Sequence, residues 1–288
     1  MYQCTRKRSL FWLKIYDNDG SINISASTTT AKLIQLAWPN LEDNSPRGWL
    51  KSDRYNDMFN LWLPDDCYEP EEIDQLKAWA EKTNAYIWLG INKHTQPFFD
   101  GTELDFCVAN DWTFDFETNQ RTNVGKAESA LKYNYRFLTE LQRNEYVRIM
   151  AHAVHECVLS LPLDLTRYVV TTIPAIRQDQ TKLSWALANF VSRKNQLPFV
   201  GVTLTRPKPQ MKELPLEQKV EVWRNIYSDP TYIESPDELR GKNILIVDDL
   251  FQSGASLFCF AEYLKRDLGA RDIIAVTSVK AQKDGGNV

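Results

Sequence analysis

Residues 243–256 read Asn243-Ile244-Leu245-Ile246-Val247-Asp248-Asp249-Leu250-Phe251-Gln252-Ser253-Gly254-Ala255-Ser256, and no other stretch restricts the fold as much. The apolar run suits a strand buried on both faces, as in parallel sheets. Two carboxylates stand at its end, then a small, hydroxyl-rich turn opens a helical pattern over 254–268. Parallel strands joined by helices leave a ligand crevice at their carboxyl ends. Backbone N–H groups at a helix N-terminus attract a phosphate, Gly254 lets the backbone approach closely, and Ser253 and Ser256 add donors. Two adjacent carboxylates accept hydrogen bonds from a pair of sugar hydroxyls. The residues therefore suit a phosphorylated sugar.

Two other families place acids after an apolar strand. A receiver domain needs roughly a hundred further residues for its remaining βα units, whereas 39 follow Asp249. A Walker-B strand requires a G-x-x-x-x-G-K-[ST] loop elsewhere. Gly125-Lys126-Ala127 and Gly241-Lys242-Asn243 lack both the spacing and the hydroxyl.

The neighbouring pattern is of one kind. Residues 168–173 form a β-branched run ended by Pro174, 197–204 and 272–279 are further apolar runs, and 182–194 has helical periodicity. Strands alternating with helices predict a mostly parallel sheet flanked by helices. Before them, Thr122-Asn123 is a helix cap, and a helical pattern runs to about residue 161 with a break near Asn134.

The first part of the chain reads differently. Runs at 9–16 and 21–27 flank the turn Asp17-Asn18-Asp19-Gly20, and 30–38 is a short helix ended by Pro39. Pro70-Glu71-Glu72 opens a helix to about 83, with acids beside its positive end, and 85–91 is a buried strand. These elements predict a smaller mixed α/β domain over 1–116, followed by the larger α/β domain over 117–288.

Composition separates the two parts as well. Seven of the nine tryptophans lie in the first 112 residues. Up to Phe116 there are 11 basic and 18 acidic residues, and afterwards 23 and 20, so the net charge of −4 is a sum of −7 and +3. Aromatic platforms for nucleic acid sit beside positive charge. The acidic, tryptophan-rich part is thus expected to pack its indoles in a core or against a protein partner, without direct nucleic-acid contact. Five scattered cysteines without a C-x-x-C pair suit reduced thiols in a cytoplasmic protein. The basic start lacks the apolar stretch and cleavage site of a signal peptide, and no apolar run reaches the length of about 18 residues expected of a membrane span. His152, His155 and Glu156 share a helical spacing, but no further ligand completes a metal set.

Residues 247–256 resemble the phosphoribosyl-pyrophosphate (PRPP) loop of the type I phosphoribosyltransferases: two acids, three residues, then Thr/Ser-Gly-x-Thr/Ser. A second tract is Thr205-Arg206-Pro207-Lys208-Pro209-Gln210-Met211-Lys212-Glu213-Leu214, then Glu217-Gln218-Lys219 and Trp223-Arg224-Asn225-Ile226-Tyr227. It is similar to the segment that precedes this loop in the ComF-like branch. Leu131-Lys132-Tyr133 resembles the helix opening that branch's transferase domain. The resemblance covers 117–288 and leaves 1–116 unassigned.

The resemblance implies an enzyme that binds PRPP with Mg²⁺ and exchanges pyrophosphate for a nitrogenous base. It places Asp248 and Asp249 on the ribose hydroxyls and, through those hydroxyls or water, near the metal. It places Gln252, Ser253, Gly254, Ala255 and Ser256 on the 5′-phosphate. Thr172, Ile173, Pro174, Ala175, Ile176 and Arg177 begin the pyrophosphate loop, and Arg206, Lys208 and Lys212 lie on a mobile loop. Two departures stand beside it. No cysteine pair forms the branch's zinc ribbon, and Gln178-Asp179-Gln180-Thr181-Lys182-Leu183-Ser184-Trp185 replaces a basic Arg-Gly-Phe-Asn tract. A second expectation therefore stays open: a non-catalytic protein that binds PRPP or a nucleotide and acts through residues 1–116. Phosphoribosyltransferase-like effectors beside retron reverse transcriptases in phage defence are one such setting. No residue is assigned to the base acceptor.

Overall fold

The structure is a computed structural model and describes residues 1–55, 57–92, 94–177, 182–211, 213–234 and 236–282. The chain divides into two compact units, Met1–Gly90 with Leu159–Asp164, and Ile91–Val158 with Leu165–Val288.

The first unit contains β1 (Tyr2–Thr5), β2 (Trp12–Asn18), β3 (Ser21–Ser27), α1 (Thr28–Ala37), α2 (Pro39–Asp43), β4 (Trp49–Lys51), β5 (Met58–Pro64), α3 (Pro70–Thr83) and β6 (Ile87–Leu89). Its antiparallel sheet has the order β1-β2-β3-β5-β4. The predicted turn closes the β2–β3 hairpin: Asn18 pairs with Ser21, and Gly20 takes φ +79°. Along β3 the buried residues are Ile22, Ile24 and Ala26, the period-two pattern of a strand with one covered face. Ser27 caps α1 by accepting the Thr30 N–H at 3.3 Å. Pro39 does end α1, and it also opens α2 at a first-turn position where no N–H is needed. The core is aromatic. The Trp79 ring centroid lies 5.5 Å from those of Phe11 and Trp38 and 6.0 Å from that of Trp88. The Trp79 indole N–H donates to the Ser160 carbonyl at 2.9 Å, tying the returning segment to this unit.

The second unit contains β7 (Phe106–Trp112), α4 (Asn123–Tyr133), α5 (Glu140–Leu159), β8 (Tyr168–Thr171), β9 (Ala175–Ile176), α6 (Leu183–Asn195), β10 (Thr203–Leu204), α7 (Leu216–Ser228), β11 (Asn243–Phe251), α8 (Ala255–Arg266) and β12 (Ile273–Lys280). Within it, β7, β12, β11 and β8 lie side by side in that order, all parallel. β9 and β10 form a separate parallel pair. Ile244, Leu245, Ile246 and Val247 are fully buried, and every residue of β12 is buried, as central parallel strands require. The Thr122 hydroxyl caps α4 by accepting the Gly125 N–H at 3.0 Å. The expected break near Asn134 appears as a short 3-10 turn between α4 and α5.

Three expectations need correction. The boundary at 116/117 falls inside the second unit, because β7 pairs with β12. The apolar part of β7 is only Phe106–Ala109, followed by Asn110 and Asp111, too short a run to announce a strand. The run at 197–204 keeps strand structure only at Thr203–Leu204, with Phe199 bridged singly to Val170. The strand expected at 243–247 continues to Phe251, so both acids lie within it, Asp248 opposite Thr277. Among the described residues no helix is long and apolar enough to cross a membrane.

Candidate active site

A cavity of about 710 Å³ opens in the second unit where β11 passes into α8. It is lined by residues 248–257, 173–176 and 207–211, with Lys132, Lys182, Ser184, Leu204, Lys219, Trp223 and Thr277. Segments far apart in sequence thus meet at the ends of parallel strands.

Gly254 is fixed twice over. Its φ is +80°, and a Cβ there would meet Phe258 Cε2 at 2.7 Å and Phe251 Cζ at 2.8 Å. The turn it allows starts α8 at Ala255, and the first helical bond runs from the Phe258 N–H to the Gly254 carbonyl at 2.8 Å. The N–H groups of Ala255, Ser256 and Leu257 therefore have no carbonyl one turn behind them. They gather at the positive end of the helix. Lys280, 3% exposed, holds the loop from behind: its ammonium donates to the Gln252 carbonyl at 2.9 Å and the Ala281 carbonyl at 3.2 Å.

The two acids differ in state. The Asp249 N–H donates to Asp248 Oδ1 at 2.9 Å. Burial, and then the adjacent Asp249 charge, push the Asp248 carboxyl well above the usual carboxylate range. Burial acts on Asp249 in the same sense, but Lys132 overrides it and holds Asp249 below the usual range. Lys132 Nζ lies 3.0 Å from Asp249 Oδ2 and 3.2 Å from Glu128 Oε1. Burial opposes the charge on Lys132 too, yet Asp249 and Glu128 keep its ammonium above its ordinary value. The two neighbouring carboxyls are thus pushed in opposite directions, and the lowered one, Asp249, has Lys132 as its counter-ion.

The wall opposite is built on α7. Trp223 is 2% exposed, and the Lys208 ammonium stands 4.7 Å from its ring centroid. Arg224 anchors that helix to α8, its guanidinium donating to Glu262 at 2.9 and 3.3 Å and to the Phe98 carbonyl at 2.6 Å. Buried hydroxyls of Thr171, Thr172 and Thr277 have no hydrogen-bond partner among the described residues, and Thr277 lines the cavity.

The residues nominated from sequence divide accordingly. Asp248, Asp249, Gln252, Ser253, Gly254, Ala255, Ser256, Ile173, Pro174, Ala175, Ile176 and Lys208 line the cavity. Three do not. Thr172 is wholly buried. Arg177 pairs with Glu234 at 3.0 Å on the surface, and Arg206 pairs with Asp229 at 2.6 Å and covers the Tyr232 ring at 4.3 Å. In both arginines a local carboxylate draws the guanidinium away. Lys212 lies outside the described residues. Sequence reasoning gave no role to Glu128, Lys132, Lys182, Ser184, Lys219, Thr277 or Lys280. The signal for the first two was their i,i+4 spacing on one helix; Lys280 gave none beyond its place at the end of a strand.

Among the described residues no three or more His, Cys, Asp or Glu side chains gather as a metal site. Two carboxylates suit Mg²⁺ held mainly through ligand oxygens and water, the usual arrangement for that hard cation. The donor set fits an ion arriving with a phosphorylated ligand.

No family model matches the chain, and no curated protein matches it. Among solved structures it is similar to a purine phosphoribosyltransferase from Pyrococcus horikoshii Ot3, at 18% identity over 51% of this chain and 86% of that one, with a TM-score of 0.27. It is also similar to an adenine phosphoribosyltransferase from Thermoanaerobacter pseudethanolicus ATCC 33223, at 14% identity over 49% and 83%, with a TM-score of 0.30. Neither likeness, at such TM-scores, carries weight beside the geometry of the cavity.

Proposed function

We propose that the second unit binds PRPP and, with Mg²⁺, transfers the phosphoribosyl group to a nitrogenous base with release of pyrophosphate. The observation that carries this reading is one cavity shared by the acid pair, the start of α8, residues 173–176 and a set of lysines. The N–H groups opening α8, with the Ser253 and Ser256 hydroxyls, take the 5′-phosphate. Asp249 accepts from one ribose hydroxyl and Asp248 hydrogen-bonds the other. Lys182, Lys208 and Lys219 supply positive charge for the departing pyrophosphate. Mg²⁺, held through ligand oxygens and water beside the two acids, adds to that neutralisation when bound. The anomeric carbon gives up its bond to the pyrophosphate oxygen, which leaves with the electron pair, and gains a bond to the base nitrogen. Met211 lines the cavity and offers apolar surface to a planar base.

Incubation with PRPP, Mg²⁺ and a panel of bases tests this by pyrophosphate release. The wild type should turn over with at least one base, and an Asp248→Asn, Asp249→Asn double variant should not. Undiminished turnover in the variant sinks the assignment. PRPP binding with no base consumed would turn the reading to the non-catalytic binding protein.

A further inference from the structure

Lys132 stands on the acid that a ribose hydroxyl needs. Its ammonium occupies Asp249 Oδ2 at 3.0 Å, and its other carboxylate partner is Glu128 Oε1 at 3.2 Å. Glu128 lies one turn earlier on α4 and is 3% exposed. A carboxylate so deeply buried is costly unless it is paired, so Glu128 holds the lysine near the cavity whatever else that lysine contacts. Lys132 itself lines the cavity with its side chain 32% exposed. An ammonium on a flexible four-carbon stem, with three donors, can change partners without leaving such a tether.

A ligand entering the site meets an acceptor that is already taken. Drawing the ammonium off Asp249 costs a charge-assisted contact, and only a ligand with an anionic group of its own near the acids can replace it. PRPP has that group, the pyrophosphate on the anomeric carbon. Ribose 5-phosphate presents the same ring hydroxyls and the same 5′-phosphate without it.

We propose that Lys132 is an exchangeable counter-ion that holds Asp249 in the unloaded site and moves to the pyrophosphate when PRPP binds, tethered throughout by Glu128. The inference rests on the PRPP reading and extends it to selectivity. Lys132 rewards the activated sugar and obstructs the ribose phosphate that lacks pyrophosphate.

Binding of PRPP and of ribose 5-phosphate, each with Mg²⁺, is measured by calorimetry on the full chain. The wild type is compared with Lys132→Met and with a Lys132→Met, Glu128→Gln double variant, in which Glu128 is no longer a buried unpaired carboxylate and Asp249 alone has lost its counter-ion. In the double variant we expect PRPP affinity to fall about 10- to 100-fold, the range for a lost charged hydrogen bond. Ribose 5-phosphate should bind as well as before or more tightly, because its competitor for Asp249 is gone. A merely structural lysine would weaken both ligands together, and that parallel loss overturns the proposal. So does unchanged PRPP affinity in a variant that still unfolds cooperatively. If the wild type binds neither ligand, the PRPP reading itself fails; if it binds PRPP but the variants keep the wild-type preference for PRPP over ribose 5-phosphate, only the counter-ion role fails.

Discussion

The two sheets bury their residues by different rules. β3 in the first unit hides every second residue and pairs antiparallel with β2 and β5. β11 in the second unit hides five residues in succession and then emerges as Asp248, Asp249 and Leu250. One sheet rests on an aromatic core; the other concentrates its partly exposed charge at one end of parallel strands. Trp79 and Trp88 pack in the core of the first unit, while the strand ends of the second carry two carboxyls whose pKa values are pushed in opposite directions.

That contrast breaks most easily at Trp88, which is fully buried among Phe11 and Trp79. Trp88→Ala should cost about 3–5 kcal/mol of stability, read as a lower denaturant midpoint. PRPP affinity of the protein that remains folded should stay unchanged. An affinity that falls with stability would show that the two units cannot be perturbed separately.

Gly254→Ala reverses the pattern. The new methyl meets two phenylalanine rings at a backbone angle that L residues rarely adopt. We expect a loss of about 1–3 kcal/mol together with a loss of PRPP binding of roughly tenfold or more, since α8 can no longer start where it does. Full binding in this variant would remove the phosphate from the start of the helix.

The smallest expected effect is a slope with pH. Asp248 has a raised value in the fold, so its contribution is fully present below the ordinary carboxylate value of about 4 and is lost as pH rises through the raised one. Asp249 is lowered, so its contribution is present above the ordinary value and is lost only in stronger acid. Urea denaturation from about pH 4 to 7 should therefore show a stability loss in the wild type that Asp248→Asn flattens. An unchanged slope would mean that Asp248 is ionised in the fold.

The turn into α8 was legible in sequence because its instructions are local: an apolar run, two acids, and a glycine at φ +80°, where a side chain would be strained and would meet two phenylalanine rings. The β2–β3 hairpin and α3 were legible for the same reason, one announced by its turn and the other by Pro70, Glu71 and Glu72 at its start. β7 was not, because its apolar run is only Phe106-Cys107-Val108-Ala109 before Asn110 and Asp111 and its partner β12 lies far along the chain. The cavity's lysines divide on similar grounds. Lys208 stood in a basic tract, whereas Lys132 gained significance only when α4 brought it to Asp249. Arg177 and Arg206 looked equally suitable in sequence, and the carboxylates that draw them away are Glu234 and Asp229, over twenty positions downstream.

Whether the strand ends of the second unit hold PRPP is decided most directly by titrating PRPP with Mg²⁺ into the wild type and the Asp248→Asn, Asp249→Asn double variant in a calorimeter. We expect saturable heat from the wild type and none from the double variant, with cooperative unfolding preserved in both. Equal affinity in the two proteins, or no heat from the wild type, would contradict it.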